Sequence, residues 1–253
     1  MTHFITPTLF IVISAVCVAL LYWELVIAEG AHLGPRVVAA TYNWVAHRYD
    51  EQIKKFDLET EAELVGLPLV TELASVDAPR VLDVACGTGR VARALLREVA
   101  FDGVVINLDL AARMLTEGRR TALHWPGRIH WLRAPADPLP FANNTFDCVT
   151  CLEAIEFLPD ARAALAECVR VLRSPDPESG RPGGRLVITN RVGWPGALIL
   201  GKTFSRPAFR QLLADFSLDI VRVEPWQVEY DLAWARKKLE IGHYRPRSKA
   251  ERG

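Results

Sequence analysis

The sequence predicts a doubly wound α/β fold: a mostly parallel seven-stranded sheet with one antiparallel strand, preceded by a transmembrane helix. Three observations carry this. From Arg80 onward, short apolar runs alternate with stretches at helical spacing, the pattern of a parallel sheet covered by helices on both faces. The run Val81-Leu82-Asp83-Val84-Ala85-Cys86-Gly87-Thr88-Gly89-Arg90 passes from an apolar strand through a glycine turn into a helix. The last two strand runs lie too close together for a crossover, so they form a hairpin and one runs antiparallel. The 253 residues suit one α/β domain with an appendage, and 50% hydrophobic with 24% charged residues is the balance of a chain with a core. With 30 basic against 30 acidic residues, no nucleic-acid partner is expected.

The elements follow in order. Residues 9–21 are almost unbroken apolar sequence, extended by 22–28, and about 20 helical residues span a bilayer core. Tyr22 and Trp23 suit an interface belt and Glu24 the headgroup level. Arg36, Arg48, Lys54 and Lys55 follow this run while no Lys or Arg precedes it, which places the later domain on the cytoplasmic side of a single-pass chain. A signal peptide cleaved after Ala28 is the rival; against it, the apolar stretch is long and its N-terminal flank lacks a positive charge. The division expected is 1–30 anchor, 31–76 helical linker or lid, 77–240 main domain and 241–253 basic flexible tail. Apolar spacing through Trp44, Val45, Tyr49, Ile53 and Phe56, then from Leu58 to Leu73, gives two helices, the second kinked or split at Pro68. Strands are expected at 81–84, 104–108, 129–132, 146–151, 185–189, 219–223 and 227–233, with Pro225 separating the last two. Helices are expected at 91–99, 111–117, 161–172 and 207–215, and 174–182 reads as an inserted surface loop. The five cysteines read as buried and reduced.

Gly87 and Gly89 allow tight backbone and close approach to a ligand. The spacing Gly87-x-Gly89-x-x-Ala92 alone also fits a dinucleotide fingerprint. Asp83 favours something else. A carboxylate there repels a pyrophosphate and attracts an ammonium, such as that on the methionyl tail of S-adenosylmethionine. Asp109 ends the second strand about 20 residues further on, where such folds hold ribose hydroxyls. Leu139-Pro140-Phe141 then precedes 143–149, and 167–173 precedes 183–188.

This succession, from Val81 to Arg191 and more weakly to Arg236, resembles the class I S-adenosylmethionine-dependent methyltransferases. It is most similar to their type 11 group, which methylates quinones, lipids and small metabolites. The resemblance implies S-adenosylmethionine as cofactor, with Asp83 at the ammonium directly or through water. Ala85, Gly87 and Gly89 would bring backbone to the methionyl part, Ala85 standing where many members have glycine. Asp109 would hold the ribose diol and Leu110 would flank adenine. The adenine-contacting acid of the family falls on Pro135; Asp137 lies two residues late, and Ala136 offers its backbone. The plain alternatives are a helix cap for Asp83, a turn acid for Asp109 and a loop-bending role for Asp137. Arg48-Tyr49-Asp50 resembles a lid element of the family, against a half-buried helix tyrosine as the alternative.

The segment from Cys151 to Asp160 resembles the Glu-x-x-Glu-His stretch of metal-using O-methyltransferases, but Phe157 replaces the histidine, so no metal is expected. Glu153 is the candidate general base, or else an acid at a helix start. The six histidines form no cluster, and His47 lies nearest the presumed lid. The greasy, tryptophan-bearing segment 192–201 reads either as an amphipathic element dipping toward the bilayer or as a cover over the substrate pocket. The expectation is methyl transfer to a membrane-associated or apolar small-molecule acceptor, a quinone precursor or lipid. The alternatives are an NAD(P)-dependent oxidoreductase and a non-catalytic scaffold on the same fold.

Overall fold

The computed structural model describes residues 7–55 and 57–239; Phe56 and the expected basic tail lie outside the described residues. Seven strands form one sheet in the order β3-β2-β1-β4-β5-β7-β6. They are β1 (Arg80–Val84), β2 (Val104–Asp109), β3 (Ile129–Arg133), β4 (Cys148–Cys151), β5 (Arg185–Arg191), β6 (Leu218–Trp226) and β7 (Tyr230–Lys237). All pairings are parallel except those of β7, which runs antiparallel to both β5 and β6. Val81, Leu82, Val84, Val149, Leu186 and Ile188 are wholly or almost wholly buried, as expected when helices cover both faces.

Strand boundaries differ from expectation at β4, which starts at Cys148 and not at 146, and most at the last hairpin, where β6 runs to Trp226 and β7 covers 230–237 and not 227–233. Pro225 does not separate the last two strands but sits inside β6, opposite Asp231. Proline lacks a donor, yet β6 is the edge strand, where its missing N–H costs no ladder bond. The turn comes instead at 227–229, with Gln227 at φ +52°. The 174–182 loop carries only an isolated bridge between Asp176 and Arg181.

Ahead of the sheet, α1 (Pro7–Tyr22) continues as a wider turn through Ile27; together they make one 21-residue helix long and apolar enough to cross a membrane. Its side chains through Tyr22 are exposed, Cys17 included, so only the other four cysteines meet the expectation of burial. Glu24, expected at headgroup level, turns into the protein and is 8% exposed. Next come α2 (Pro35–Val45), a single helical turn at 46–48 and a wide turn (Tyr49–Ile53). A second helical stretch comprises α3 (Leu58–Glu61), a wide turn (Ala62–Gly66) and α4 (Leu67–Leu73). Pro68 falls in the first turn of α4, where no intrahelical donor is needed, and the irregularity is taken up just before it. The remaining helices are α5 (Arg90–Arg97), α6 (Ala112–Thr121), α7 (Ala161–Val171), the short α8 (Gly193–Ala197) and α9 (Arg206–Ala214).

Candidate active site

Strand order reverses between β1 and β4, and a crevice opens there beyond the carboxyl ends of the strands. A cavity of about 260 Å³ lies in it. Its walls are the turns after β1 to β4 and, from above, α2 and the wide turn that follows.

The glycine turn is built by backbone geometry. Gly87 and Gly89 have φ +57° and +75°, and a Cβ on Gly89 would lie 2.6 Å from the Trp131 ring. Ala85 also sits in the left-handed region, at φ +54°. That explains the glycine expected there: an L-residue costs about 1–2 kcal/mol in this conformation. Asp109 holds the turn in place, with Oδ2 accepting from Gly87 N–H at 2.8 Å and Oδ1 from Ala111 N–H at 2.7 Å. So Asp109 is a turn acid and a cavity-wall acid at once, and a carboxylate accepting two bonds keeps acceptor sites free for a diol.

Ala85, Gly87, Asp109, Leu110, Ala136, Asp137 and Glu153 all reach the cavity wall; Asp83 and Gly89 do not. Asp83 is 2% exposed, one layer beneath the turn. Register explains its partner, since Asp83 lies between Asn107 of β2 and Thr150 of β4. Thr150 Oγ1 donates to Asp83 Oδ1 at 2.6 Å, while Oδ2 has no partner. Burial pushes this carboxyl up to about 7, against the lowering pull of Thr150 and Arg90. A buried carboxyl with an orphan oxygen, directly under a backbone cradle, is primed to ionise when a cation arrives above it. The residues present therefore fit a cofactor bearing positive charge and a ribose.

The N-terminal elements add side chains without any motif of their own. Asp50 latches the wide turn to the glycine loop, accepting from Thr88 Oγ1 at 2.6 Å and Arg93 Nη2 at 2.8 Å. Tyr42 and Tyr49 meet at 5.9 Å, and Tyr42 meets Phe157 edge-on at the same distance. Tyr49 lines the cavity and is half-buried in a helical turn, as both of its readings allow; His47 is exposed and not on the wall. Glu153, at φ +53°, is clamped by Arg90 Nη2 at 2.7 Å and by Lys54 Nζ. Burial, then the neighbouring Arg90, pull Lys54 down to about 8. Glu156 points elsewhere. It is fully buried, accepts from Tyr230 OH at 3.2 Å, and is pushed up to about 7 by burial.

A second cavity of about 360 Å³ adjoins the first. Tyr42, Tyr49, Lys54, Glu153 and Phe157 line both; Glu29, Arg191 and Tyr230 complete the far side. Tyr42 OH donates to Glu29 Oε2 at 2.7 Å, and Arg191 pairs with Glu229 at 2.9 Å.

A family model described as a methyltransferase domain matches residues 81–175. The ubiquinone/menaquinone biosynthesis C-methyltransferase UbiE of Hahella chejuensis is 34% identical over 170 residues, 63% of this chain and just under two thirds (65%) of that protein. The UbiE of Edwardsiella ictaluri is 31% identical over 194 residues, covering 73% of this chain and 74% of that one. Among solved structures, a putative S-adenosyl-L-methionine-dependent methyltransferase from Methanococcus maripaludis superposes with TM-score 0.60 at 18% identity, over 79% of this chain and 95% of that one. The [4+2]-cyclase SpnF gives 0.57 at 19%, over 71% and 81%. These two likenesses speak to the fold alone.

Proposed function

Because the chain belongs to the S-adenosylmethionine-dependent methyltransferases, we propose that it methylates an apolar aromatic acceptor of the quinone-precursor type. In this reading the acceptor resides in a membrane spanned once by α1, with the catalytic domain on the cytoplasmic face. The observation that carries it is the junction of the two cavities: one beside the glycine turn, the other beside it and walled by aromatic rings.

In the first cavity, Gly87 and its neighbours receive the methionyl part, Asp109 the ribose, and Leu110, Met114 and Ala136 the adenine. Bound there, S-adenosylmethionine supplies an activated methyl group. Asp83 balances its positive charge from below, ionising as the cofactor enters. In the second cavity, Tyr42, Tyr49 and Phe157 offer faces and edges to a flat ring. Lys54 is charged below about pH 8 and faces both cavities, so it holds an acceptor hydroxyl or phenolate oxygen with the N–H donors left over from Glu153. Glu153, with both oxygens engaged by Arg90 and Lys54, positions Lys54 rather than taking a proton. Aligning acceptor and methyl group accounts for much of such catalysis.

The test supplies S-adenosylmethionine with a labelled methyl group to the full chain and to Asp109→Ala, in the presence of native membranes. Label is expected in the organic-extractable fraction and lost in the variant. If the wild-type chain binds the cofactor and labels no lipid, the membrane acceptor is wrong.

A further inference from the structure

The foot of α1 is not free. Trp23 Nε1 donates to the Leu198 carbonyl at 3.0 Å, and its ring stacks on His32 at 5.2 Å. His32 bridges onward: Nδ1 lies 2.8 Å from Glu24 Oε2, and Nε2 lies 2.8 Å from the Leu200 carbonyl. The His32 backbone N–H donates to Glu24 Oε1 at 3.0 Å. Beneath these bonds Ala28, Ala31, Ile199 and Phe157 pack as one cluster. The helix foot and the segment 193–201 are thus a single block, and Phe157 joins that block to both cavities.

The outer surface of the block is apolar. Leu25, Val26, Leu33, Leu198 and Leu200 are exposed, and Trp194 is 76% exposed. Scattered exposed leucines need no explanation, but here they extend the bare apolar surface of a 21-residue helix. Trp23 and the inward-turned Glu24 mark the foot of the helix, and the Leu198 carbonyl bonded to Trp23 lies at the same level. At ~1.5 Å per residue the 21-residue helix rises about 30 Å, the thickness of a hydrocarbon core, which sets its foot and the block bonded to it at the interface.

We propose that segment 193–201 is a second membrane contact, seated with Leu33 in the headgroup–acyl boundary of a phospholipid bilayer. Two contacts fix the domain's orientation where one helix would leave it swivelling, and they hold the Phe157 wall of the acceptor cavity at the lipid surface. The proposal rests on the reading of α1 as a membrane span.

The test uses the full chain in nanodiscs of phosphatidylcholine and phosphatidylglycerol. In a Cys17→Ser background the other cysteines are buried, so single spin labels are introduced by Trp194→Cys, Leu200→Cys, Val16→Cys and Val99→Cys. Accessibility to oxygen and to a nickel chelate is read by power saturation. Position 16 is expected deep in lipid, 194 and 200 at interfacial depth, and 99, fully exposed beyond the end of α5, in water. If 194 and 200 match 99 while 16 lies in lipid, the second contact is refuted and the span survives. If 16 is aqueous as well, both fall.

Discussion

Asp83→Asn separates a charged cofactor partner from a cap. In the wild-type chain the Asp83 carboxyl is raised from its ordinary 3.8 to about 7 by burial. That distance corresponds to roughly 4 kcal/mol, at about 1.4 kcal/mol per tenfold change in the equilibrium. Between pH 4 and 7 the folded chain holds a proton there that the unfolded chain has lost. Stability therefore falls as pH rises through this window, and levels off above about 7. Asparagine keeps the Thr150 bond and abolishes the titration. Urea denaturation of the full chain in detergent, from pH 4.5 to 8.5, should give a wild-type curve that declines relative to the variant by a few kcal/mol, on the order of the ~4 above. Glu156 titrates in the same range, so the difference between the curves, not the shape of either, isolates Asp83. Cofactor affinity should drop at least ~10-fold in the variant, as expected when a buried charge partner is lost. Parallel stability curves would refute the account, because they would mean that Asp83 is ionised in the empty chain.

Lys54→Met should lower kcat by ~10-fold or more with little change in cofactor Kd, and should lack the alkaline limb near pH 8 expected of the wild-type chain; an unchanged kcat refutes the role. Gly89→Ala should cost about 1–3 kcal/mol by denaturation, because the new Cβ strikes the Trp131 ring at positive φ. Asp50→Ala removes the bonds to Thr88 and Arg93, so hydrogen exchange across Tyr49–Ile53 should speed up and cofactor should dissociate faster. Unchanged exchange there means that the latch is idle.

The sheet was legible because short apolar runs alternated with helical spacing, several of them punctuated by glycine or proline, as at Pro79, Gly103, Gly127 and Gly184. Pro225 misled because a single sequence does not say which strand lies at an edge. The turn residues Gly87, Asp109, Leu110 and Ala136 were legible as strand-end positions. Asp83 was legible as the acid of the first strand, next to the glycine turn, but not as withdrawn from the cavity wall. Val84 extends β1 one residue beyond it, and only the register with Asn107 and Thr150 sets it inside the sheet. Lys54, Tyr42 and Glu29 carry no local signal; they matter only because α2 and the turn after it fold back over strands that come later in the chain. Asp50 could have been found, since it belongs to the triplet that marked the lid.

Seven residues, 28–34, separate the helix foot from α2, with Gly30 at φ +81° and Gly34 at φ +91°. The roof of the first cavity is thus strapped to α1 and not only to the sheet. On the proposed reading of α1 as a span, any lifting of that roof would pull on lipid, and bilayer thickness and tension would then load turnover in vesicles but not in detergent micelles.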